Sequence, residues 1–408
     1  MAVVDFTDWM SDFTRPDVVW YVKRLAANDT LASKAHQAGP YIARDFLFKV
    51  FPSLDQPAPA DNLDAWFDLY VDSHADHRRV RVVWYNNRLR GGTRNETRLT
   101  NFGGQASALL DPDSTGALTI FAFVKVPGAD AAECHVWVCR TEVEEELAED
   151  RVGPVEPGRY LVWTPAHGIA PATALPAARL SCRLEAAEIP PAWLTAFPSG
   201  AEIIRKAIEL RADTGLDPDE RLLRRRDCEF EIFLSVEEAV EMPAIRAGFD
   251  SIEAFVARAQ TILQRRKARS GRSLELHTHA IFVEEGLAEN VQFAHGVDSE
   301  PGRRPDFLFP SQDLYRDPAF PAARLRMLAV KTTVRDRWRQ ILNEAGRIPV
   351  KHLLTLQEGV SAGQFQEMKE SGVRLVVPAG LVKSYPEEIR PDLITLESFI
   401  GDVRLLGM

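Results

Sequence analysis

The order of hydrophobic and polar residues changes character near residue 195. Before that point the chain carries short apolar runs of strand length, separated by Gly, Pro and Asn. Examples are RVRVVWY (79–85), ALTIFAFVKV (117–126) and RYLVWT (159–164). Strand-length runs between turn residues predict a β-rich barrel or sandwich over this part of the chain.

Apolar residues beyond residue 195 recur at spacings of three and four, which is typical of amphipathic helices. Helices are predicted over EIIRKAIEL, VEEAVEMPAIRAGF, SIEAFVARAQTILQRR, SLELHTHAIFVEEGL (273–287), VRDRWRQILNEAG (334–346) and SAGQFQEMKESG (361–372). Strands are predicted over PDFLFP (305–310), RLRMLAV (324–330), HLLTL (352–356) and VRLVVP (373–378). This alternating order predicts a mixed sheet with helices on its faces.

A stretch rich in Pro and Ala separates the two patterns, from APATALPAARL to EIPPAW. This composition favours a linker. The chain is therefore predicted to be a multidomain α+β protein. Its β-rich domain would cover residues 1–172, the linker 173–194, and a second domain with a mixed sheet 195–408.

Composition is that of an ordinary globular protein, with 45% hydrophobic and 26% charged residues. No apolar run reaches the roughly 18 residues that a membrane span requires, and the acidic N-terminus lacks the features of a signal peptide. A cytoplasmic protein is expected, with its four cysteines present as buried thiols. Cys134 and Cys139 are five residues apart, which places them on opposite faces of a strand and argues against a shared metal.

The formal charge of −10 argues at first against a nucleic-acid partner, but the cations are clustered. Arginine-rich or lysine-rich stretches cover residues 77–98, 256–272 and 324–339. A single such stretch is more often a solvated face than a binding site. Three of them, interleaved with Trp84, Tyr85 and Trp338, make DNA or RNA binding plausible.

Lys331 ends the predicted strand 324–330, and Asp306 lies 25 residues earlier beside another predicted strand. If the two strands pair, a carboxylate and an ammonium group meet at one sheet edge. Hydrolysis of a phosphodiester requires such a pair, because the carboxylate holds Mg²⁺ while the lysine positions or deprotonates the attacking water. The alternative is a structural ion pair.

Glu344 follows Lys331 by 13 residues, on the predicted helix 334–346, and would supply a second hard oxygen ligand. Arg337 and Glu344 are seven residues apart, so they would share one face of an α-helix. Arg335-Asp336-Arg337 at the start of this helix suits base readout, because arginine binds guanine bidentately and aspartate accepts from cytosine. The alternative is an ordinary helix start with solvated charges.

The strings PDFLFPS, LRMLAVKTTVRDRWRQILNEA, HLLTLQEGVS and ESGVRLVVP resemble the catalytic half of the EcoRII-type restriction endonucleases, in the PD-(D/E)XK nuclease superfamily. The N-terminal half resembles the same family in KRLAANDT, AHQAGPYI, TRNETR and DPDSTGALT. The resemblance covers nearly the whole chain. It implies a restriction-endonuclease-like catalytic domain and an N-terminal DNA-binding pseudobarrel that binds an effector copy of the recognition site.

The resemblance assigns Asp306, Lys331 and Glu344 as catalytic residues, with Asp306 and Glu344 as the Mg²⁺ ligands. The usual superfamily acid two residues before the lysine is replaced by Ala329. Glu275 matches an upstream acid that is linked to the metal or supports its ligands. Tyr315 matches a family tyrosine without a firm role.

DNA contacts are also implied by the resemblance. The target bases would be read by Arg335, Asp336 and Arg337. Related enzymes flip the central base into a pocket made by an arginine and an aromatic residue four positions later, a spacing found here in Arg226 and Phe230. A basic helix with a core phenylalanine is the alternative for that pair.

Effector DNA would be contacted by two arms of the N-terminal domain, which carry His36, Tyr41, Arg94, Glu96 and Arg98. Gly92 and Thr97 stand where the resemblance implies lysines, which leaves the affinity for effector DNA and its salt dependence open.

The resemblance therefore implies a Mg²⁺-dependent type IIE restriction endonuclease of a bacterial restriction–modification system. It would act as a homodimer on duplex DNA at 5′-CCWGG, cut before the first C, and would be autoinhibited by its N-terminal domain. The alternative is a sequence-specific DNA-binding regulator whose nuclease-like domain is inactive and serves for dimerisation.

Overall fold

The computed structural model describes residues 3–33, 39–56, 62–104, 106–165, 168–170 and 181–406. The chain divides into two compact units. Unit 1 contains Met1–Leu175, Gln357–Glu367 and Lys383–Pro391, and unit 2 contains Pro176–Leu356, Met368–Val382 and Asp392–Met408. Within the described ranges, no helix is both long and apolar enough to cross a bilayer.

Unit 1 is built on one curled sheet of eight strands in the order β4-β3-β2-β6-β5-β1-β7-β8. Strands β2 and β6 are parallel, and the other neighbours are antiparallel. The strands are β1 Val18–Arg24, β2 Leu63–Val71, β3 Asp76–Tyr85, β4 Glu96–Thr100, β5 Leu118–Val124, β6 Glu133–Val138, β7 Tyr160–Thr164 and β8 Gly168–Ala170. The sheet confirms the predicted β-rich pseudobarrel.

Both faces of this sheet are covered, because the strands alternate between two apolar cores. Helices α1 (Val3–Asp12) and α3 (Glu142–Val152) contribute to one core, and α2 (Arg44–Val50) contributes to the other. Cys134 lies in one core and Cys139 in the other, so the prediction of opposite faces is confirmed.

Unit 2 contains a five-stranded sheet in the order β13-β12-β11-β10-β9. Its strands are β9 Ala294–His295, β10 Phe307–Phe309, β11 Arg326–Val330, β12 Lys351–Leu354 and β13 Val373–Val376. The pairs β9–β10 and β10–β11 are antiparallel, whereas β11–β12 and β12–β13 are parallel. The prediction of a mixed sheet is confirmed.

The C-terminal half also contains seven α-helices within the described residues. They are α4 Pro191–Thr195, α5 Gly200–Leu210, α6 Pro218–Ala247, α7 Ile252–Glu284, α8 Gln312–Arg316, α9 Ala362–Glu370 and α10 Leu396–Leu406. The two segments predicted as helices around 252 and 273 form the single helix α7. An aromatic core that includes Phe282, Phe307 and Phe399 joins α7, β10 and α10.

Cys182 and Cys228 form a disulfide, so the expectation of four free thiols is wrong for this pair. Residues Cys182, Leu184 and Ile189 lie in the predicted linker 173–194, yet they are buried against α5 and α6. Burial against α6 brings two cysteines together that are 46 residues apart in the chain. Residues 173–180 of the predicted linker lie outside the described residues.

Candidate functional site

Asp306 and Lys331 lie at the same end of the unit 2 sheet, where β10 begins and β11 ends. Asp306 directly precedes β10, which pairs with β11 in the register Phe307 to Leu328. One carboxylate oxygen, Oδ2 of Asp306, accepts a hydrogen bond of 2.7 Å from the backbone N–H of Val330. Lys331 follows immediately, and its backbone N–H donates to the carbonyl of Leu354 on β12 at 2.9 Å. The pairing of the two strands therefore brings the carboxylate and the ammonium group together, as the sequence predicts.

Glu344 approaches this end of the sheet from a 3-10 helix, not from an α-helix. The residues Arg337–Asn343 form the 3-10 helix, and Glu344 caps its C-terminal end. The prediction of an α-helix over 334–346 is wrong, and so is the shared face of Arg337 and Glu344. In a helix of three residues per turn, a separation of seven residues rotates one side chain by about 120° from the other.

The pKa values of Asp306 and Glu344 show that these two carboxylates and Lys331 influence one another in one site. Burial, reinforced by the negative charge of Asp306, raises the pKa of Glu344 to about 7. Burial also raises the pKa of Asp306, against the opposing effects of Lys331 and of the Val330 N–H. Two carboxylates with raised pKa values in one place gain from a bound cation, because it offsets their mutual repulsion.

Oε2 of Glu344 is buried and has no hydrogen-bond partner among the described residues. A buried carboxylate oxygen without a partner is costly. A bound cation that prefers oxygen ligands gives such an oxygen a partner and removes this cost. Asp306 and Glu344 therefore fit the predicted divalent ion.

Glu275 projects from α7 towards the same group of charges. Its Oε1 lies 2.6 Å from Nε2 of His295 on β9. This contact, more than the positive charges of Arg272 and Lys331, lowers the pKa of Glu275. Glu275 is thus an ionised carboxylate held by a histidine near Lys331. His295 was not found from the sequence, because only the pairing of β9 with β10 places it there.

Lys351 is a further residue that the sequence analysis missed. Its Nζ donates hydrogen bonds to the carbonyls of Glu344, Ala345 and Ile348. All three carbonyls lie at or beyond the C-terminal end of the 3-10 helix Arg337–Asn343. The sequence signal was a lysine at the start of the strand-length run 351–354. The side chain of Lys351 holds the backbone of Glu344 in place.

Tyr315 supports the same turn from the other side. Its hydroxyl donates to Glu300 and accepts from the backbone N–H of Arg347 at 3.2 Å. Glu300 in turn accepts from the N–H of Gly346 at 2.8 Å. Burial, together with the contact with Glu300, raises the pKa of Tyr315 to about 12. Tyr315 therefore acts as a hydrogen-bond donor that orders the residues after Glu344.

The trio proposed for base reading lies at the start of the 3-10 helix that follows β11, and Arg337 is the first residue of that helix. Asp336 is exposed, and Arg335 and Arg337 are half-buried. Buried Val334 and Trp338 flank the trio and anchor it on the core. The trio is therefore displayed on a short anchored turn close to Lys331 in the chain, rather than on the first turn of an α-helix.

Arg226 and Phe230 occupy neighbouring turns of α6, as their spacing predicts. Arg226 is buried, and Phe230 is half-buried. The guanidinium of Arg269, from α7, lies 4.5 Å from the centre of the Phe230 ring. The ring therefore already has a cationic neighbour from α7.

The basic stretch 256–272 faces acidic residues of α6. Four of its six cations pair with three glutamates that are themselves nearly inaccessible to solvent. The pairs are Arg258–Glu241, Arg265–Glu241, Arg266–Glu237 and Arg269–Glu229. These arginines join two helices, so the stretch gives little support to the expectation of DNA binding.

The residues predicted to contact effector DNA converge in unit 1. A backbone bridge joins Tyr41 to Arg98. Glu96 Oε1 lies 2.9 Å from Nη2 of Arg94 and 3.4 Å from Nε of Arg98, and Arg94 also lies 4.7 Å from the centre of the Tyr85 ring. Lys23 and Asp29 support Tyr41: Asp29 accepts from its N–H at 2.8 Å, and Lys23 donates to its carbonyl at 3.2 Å.

Three further positions in this region behave differently. His36 lies outside the described residues. Thr97 is buried and donates its hydroxyl hydrogen bond to the carbonyl of Ile42, on the opposite face of β4 from Glu96 and Arg98. Gly92 packs against Asn87, where an added Cβ would come within 2.9 Å of the Asn87 side chain.

Both halves of the chain match family models. The model described as "Restriction endonuclease EcoRII, N-terminal" matches residues 14–167, and "EcoRII C terminal" matches residues 233–400. The type II restriction enzyme EcoRII of Escherichia coli is 44% identical over 405 residues, covering 99% of this chain and 98% of that relative.

Solved structures give more distant similarities. Metal-depleted Ecl18kI in complex with uncleaved DNA aligns with a TM-score of 0.44 and 17% identity, over 52% of this chain and 80% of that one. The B3 domain of UbaLAI restriction endonuclease with cognate DNA aligns with a TM-score of 0.26 and 17% identity, over 39% of this chain and 98% of that one. These similarities are too low to support a residue-by-residue comparison.

Proposed function

Because the chain belongs to the EcoRII family of type II restriction endonucleases, we propose that it hydrolyses duplex DNA at 5′-CCWGG and cuts before the first C. The observation that carries this proposal is the convergence of Asp306, Lys331 and Glu344 at one end of the unit 2 sheet. Two acids and one lysine at the end of a sheet suit phosphodiester hydrolysis.

Asp306 and Glu344 would hold Mg²⁺, the proposed cofactor. The ion, when bound, polarises the scissile phosphate and lowers the pKa of water. Lys331 positions the attacking water and stabilises the negative charge that develops on the phosphate. The hydrogen bond from Val330 fixes the orientation of the Asp306 carboxylate, and Lys351 fixes the backbone of Glu344. Glu275 lies close enough to Lys331 for the positive charge of that lysine to help lower the pKa of Glu275.

The outer base pairs would be read by Arg335, Asp336 and Arg337, since arginine recognises guanine and aspartate accepts from cytosine N4. The central base would be flipped against Phe230 and Arg226. A nearly palindromic site favours a homodimer, because a two-fold axis repeats the same contacts on each half-site. The protein would work in the bacterial cytoplasm, where its DNA substrate enters.

Unit 1 would bind a second copy of the site through Tyr41, Arg94, Glu96 and Arg98, with His36 as a further contact. Effector binding would relieve autoinhibition of the catalytic domain, which is a coupling between two DNA sites. The backbone bridge between Tyr41 and Arg98, with Glu96 between two arginines, supports one continuous contact surface.

The test is to map cut ends on supercoiled plasmids that carry no, one or two CCWGG sites, with Mg²⁺ or Ca²⁺. We expect cleavage with Mg²⁺ but not with Ca²⁺. The ends should begin at the first C, and the plasmid with two sites should be cut faster than the plasmid with one. Specific binding in Ca²⁺ without any cutting in Mg²⁺ would instead identify a DNA-binding regulator with an inactive nuclease-like domain.

A further inference from the structure

A second group of ligand-type side chains lies next to Glu275. It consists of His279 from α7, Glu289 from the following loop and His295 from β9. One possible ligand atom from each of the three residues lies within 4.8 Å of the other two. Nε2 of His279 is 3.0 Å from Oε2 of Glu289, and the centres of the two imidazole rings are 5.0 Å apart.

The chemistry of this group differs from that of the proposed Mg²⁺ site. Asp306 and Glu344 offer only oxygen atoms, which magnesium prefers. Two imidazoles with one carboxylate favour zinc and neighbouring transition metals. Glu289 and Glu275 together carry two negative charges, enough to balance a divalent cation bound by neutral histidines.

Glu275 supplies the outer contact that such sites need. Histidine ligands of metals usually give their second ring nitrogen to a carboxylate, which fixes the tautomer and the orientation of the ring. Nε2 of His295 already lies 2.6 Å from Glu275, which leaves Nδ1 for a cation. The side chain of Glu289 is 40% exposed, so it can move the short distance that tetrahedral coordination requires.

We propose that His279, Glu289 and His295 bind one transition-metal ion of the zinc class, with Glu275 holding the far nitrogen of His295 and water completing the coordination. The ion joins α7 to β9. Strand β9 is only two residues long and forms an edge of the sheet, so it has few hydrogen bonds of its own. A metal bond between these elements closes a short loop and stabilises the edge that carries His295.

The experiment is a titration of the untagged full-length chain with Co²⁺, followed by its visible absorption and by metal content after dialysis. Low-coordinate cobalt with nitrogen ligands absorbs more strongly than cobalt in an all-oxygen site. The variants are His279→Gln and Glu289→Gln. His77→Gln is the matched control, because His77 also lies beside a carboxylate, Asp68, at 3.5 Å.

We expect one equivalent of cobalt with strong absorption in the wild type and in His77→Gln, and loss of that absorption in His279→Gln and Glu289→Gln. The double variant Asp306→Ala/Glu344→Ala should keep the strong absorption, because it removes only the proposed magnesium ligands. A spectrum that survives His279→Gln, disappears in the double variant or never saturates would overturn the proposal.

Thermal unfolding gives a second measurement that does not depend on catalysis. Zn²⁺ should raise the Tm of the wild type and of His77→Gln, because a ligand that binds the folded state stabilises it. The same Zn²⁺ should leave the Tm of His279→Gln unchanged. An equal rise in both histidine variants would show that zinc binds elsewhere. These outcomes separate this site from the proposed nuclease site, whose failure would appear only in the cleavage assay.

Discussion

Lys331 is the residue on which the proposed chemistry depends most directly, because it is the cation that accompanies Asp306 and Glu344 at one end of the unit 2 sheet. Lys331→Ala removes that cation and leaves both carboxylates. We expect cleavage to fall by at least about 10²-fold, as for other residues that stabilise transition-state charge. Specific binding in Ca²⁺ should be retained in a gel-shift assay. Turnover equal to that of the wild type would remove Lys331 from the mechanism.

The raised pKa of Glu344 predicts that metal binding depends on pH. Its pKa is raised from 4.5 to about 7, so its carboxylate is largely protonated at acidic pH. At limiting Mg²⁺ we expect cleavage to rise with pH, to reach half of its maximum near pH 7 and to level off above that midpoint. More Mg²⁺ should move this midpoint to lower pH, because the ion competes with the proton. A midpoint that is independent of Mg²⁺ concentration would assign the titration to another group.

The same shift has a consequence for stability in the absence of metal. A carboxyl group with a raised folded-state pKa stabilises the fold below its unfolded pKa of 4.5, and this contribution is lost as pH rises through about 7. Glu344→Gln should remove that part of the pH dependence. Urea unfolding of both proteins in EDTA, at several pH values, measures the difference.

Arg337 tests the proposed base reading. Arg337→Ala should lose roughly 1–3 kcal/mol of discrimination at one guanine, because a bidentate contact is removed. Competition binding against sites with single substitutions measures this loss. A variant with wild-type selectivity would show that Arg337 lies away from the base edges.

At the scale of elements, α6 and α7 are joined by arginine–glutamate pairs across their interface. Arg266 Nε lies 3.0 and 2.9 Å from the two oxygens of Glu237, a side chain that is only 7% exposed. Arg266→Ala should lower the free energy of unfolding by about 1–3 kcal/mol, because it leaves a buried acceptor without its partner. Lys267→Ala, on the exposed face of α7, is the control and should stay within about 0.5 kcal/mol.

The salt dependence of DNA binding gives a second test of the Arg266–Glu237 ion pair. Arg266→Ala should leave the salt dependence of specific binding unchanged, since Arg266 neutralises Glu237 rather than a phosphate. A decrease of the salt slope by about one unit would instead show a phosphate contact and restore the stretch 256–272 to the DNA interface.

At the scale of the whole molecule, the proposed function couples two DNA sites. Arg94→Ala removes one proposed effector contact, and Arg79→Ala removes a more exposed cation of the same basic stretch as a control. We expect the Arg94 variant to lose the faster cleavage of the two-site plasmid, down to the single-site rate, because the effector can no longer relieve inhibition. Equal loss in both variants would indicate a general electrostatic effect.

The sequence by itself determined the local periodicities and the ends of the key strands. The continuous apolar run of β1, VVWYV, suits a strand that is covered on both faces, because side chains of a strand point to opposite sides. The apolar runs 307–309 and 326–330 end beside Asp306 and Lys331, so their pairing was sufficient to predict a charged sheet edge. These features depend on neighbours in the chain, and the sequence contains them.

The tertiary structure alone decided which distant groups meet. The apolar spacing of 338, 341 and 345 suits an α-helix and a 3-10 helix almost equally. The hydrogen bonds that Lys351 donates and Glu300 accepts accompany the tighter form around Glu344. The sequence of the stretch 256–272 suggests a DNA-binding face, but in the structure glutamates of α6 pair with four of its cations. His279 and His295 gave no sequence signal, because the spacing of ligands across a helix, a loop and an edge strand is set by packing rather than by periodicity.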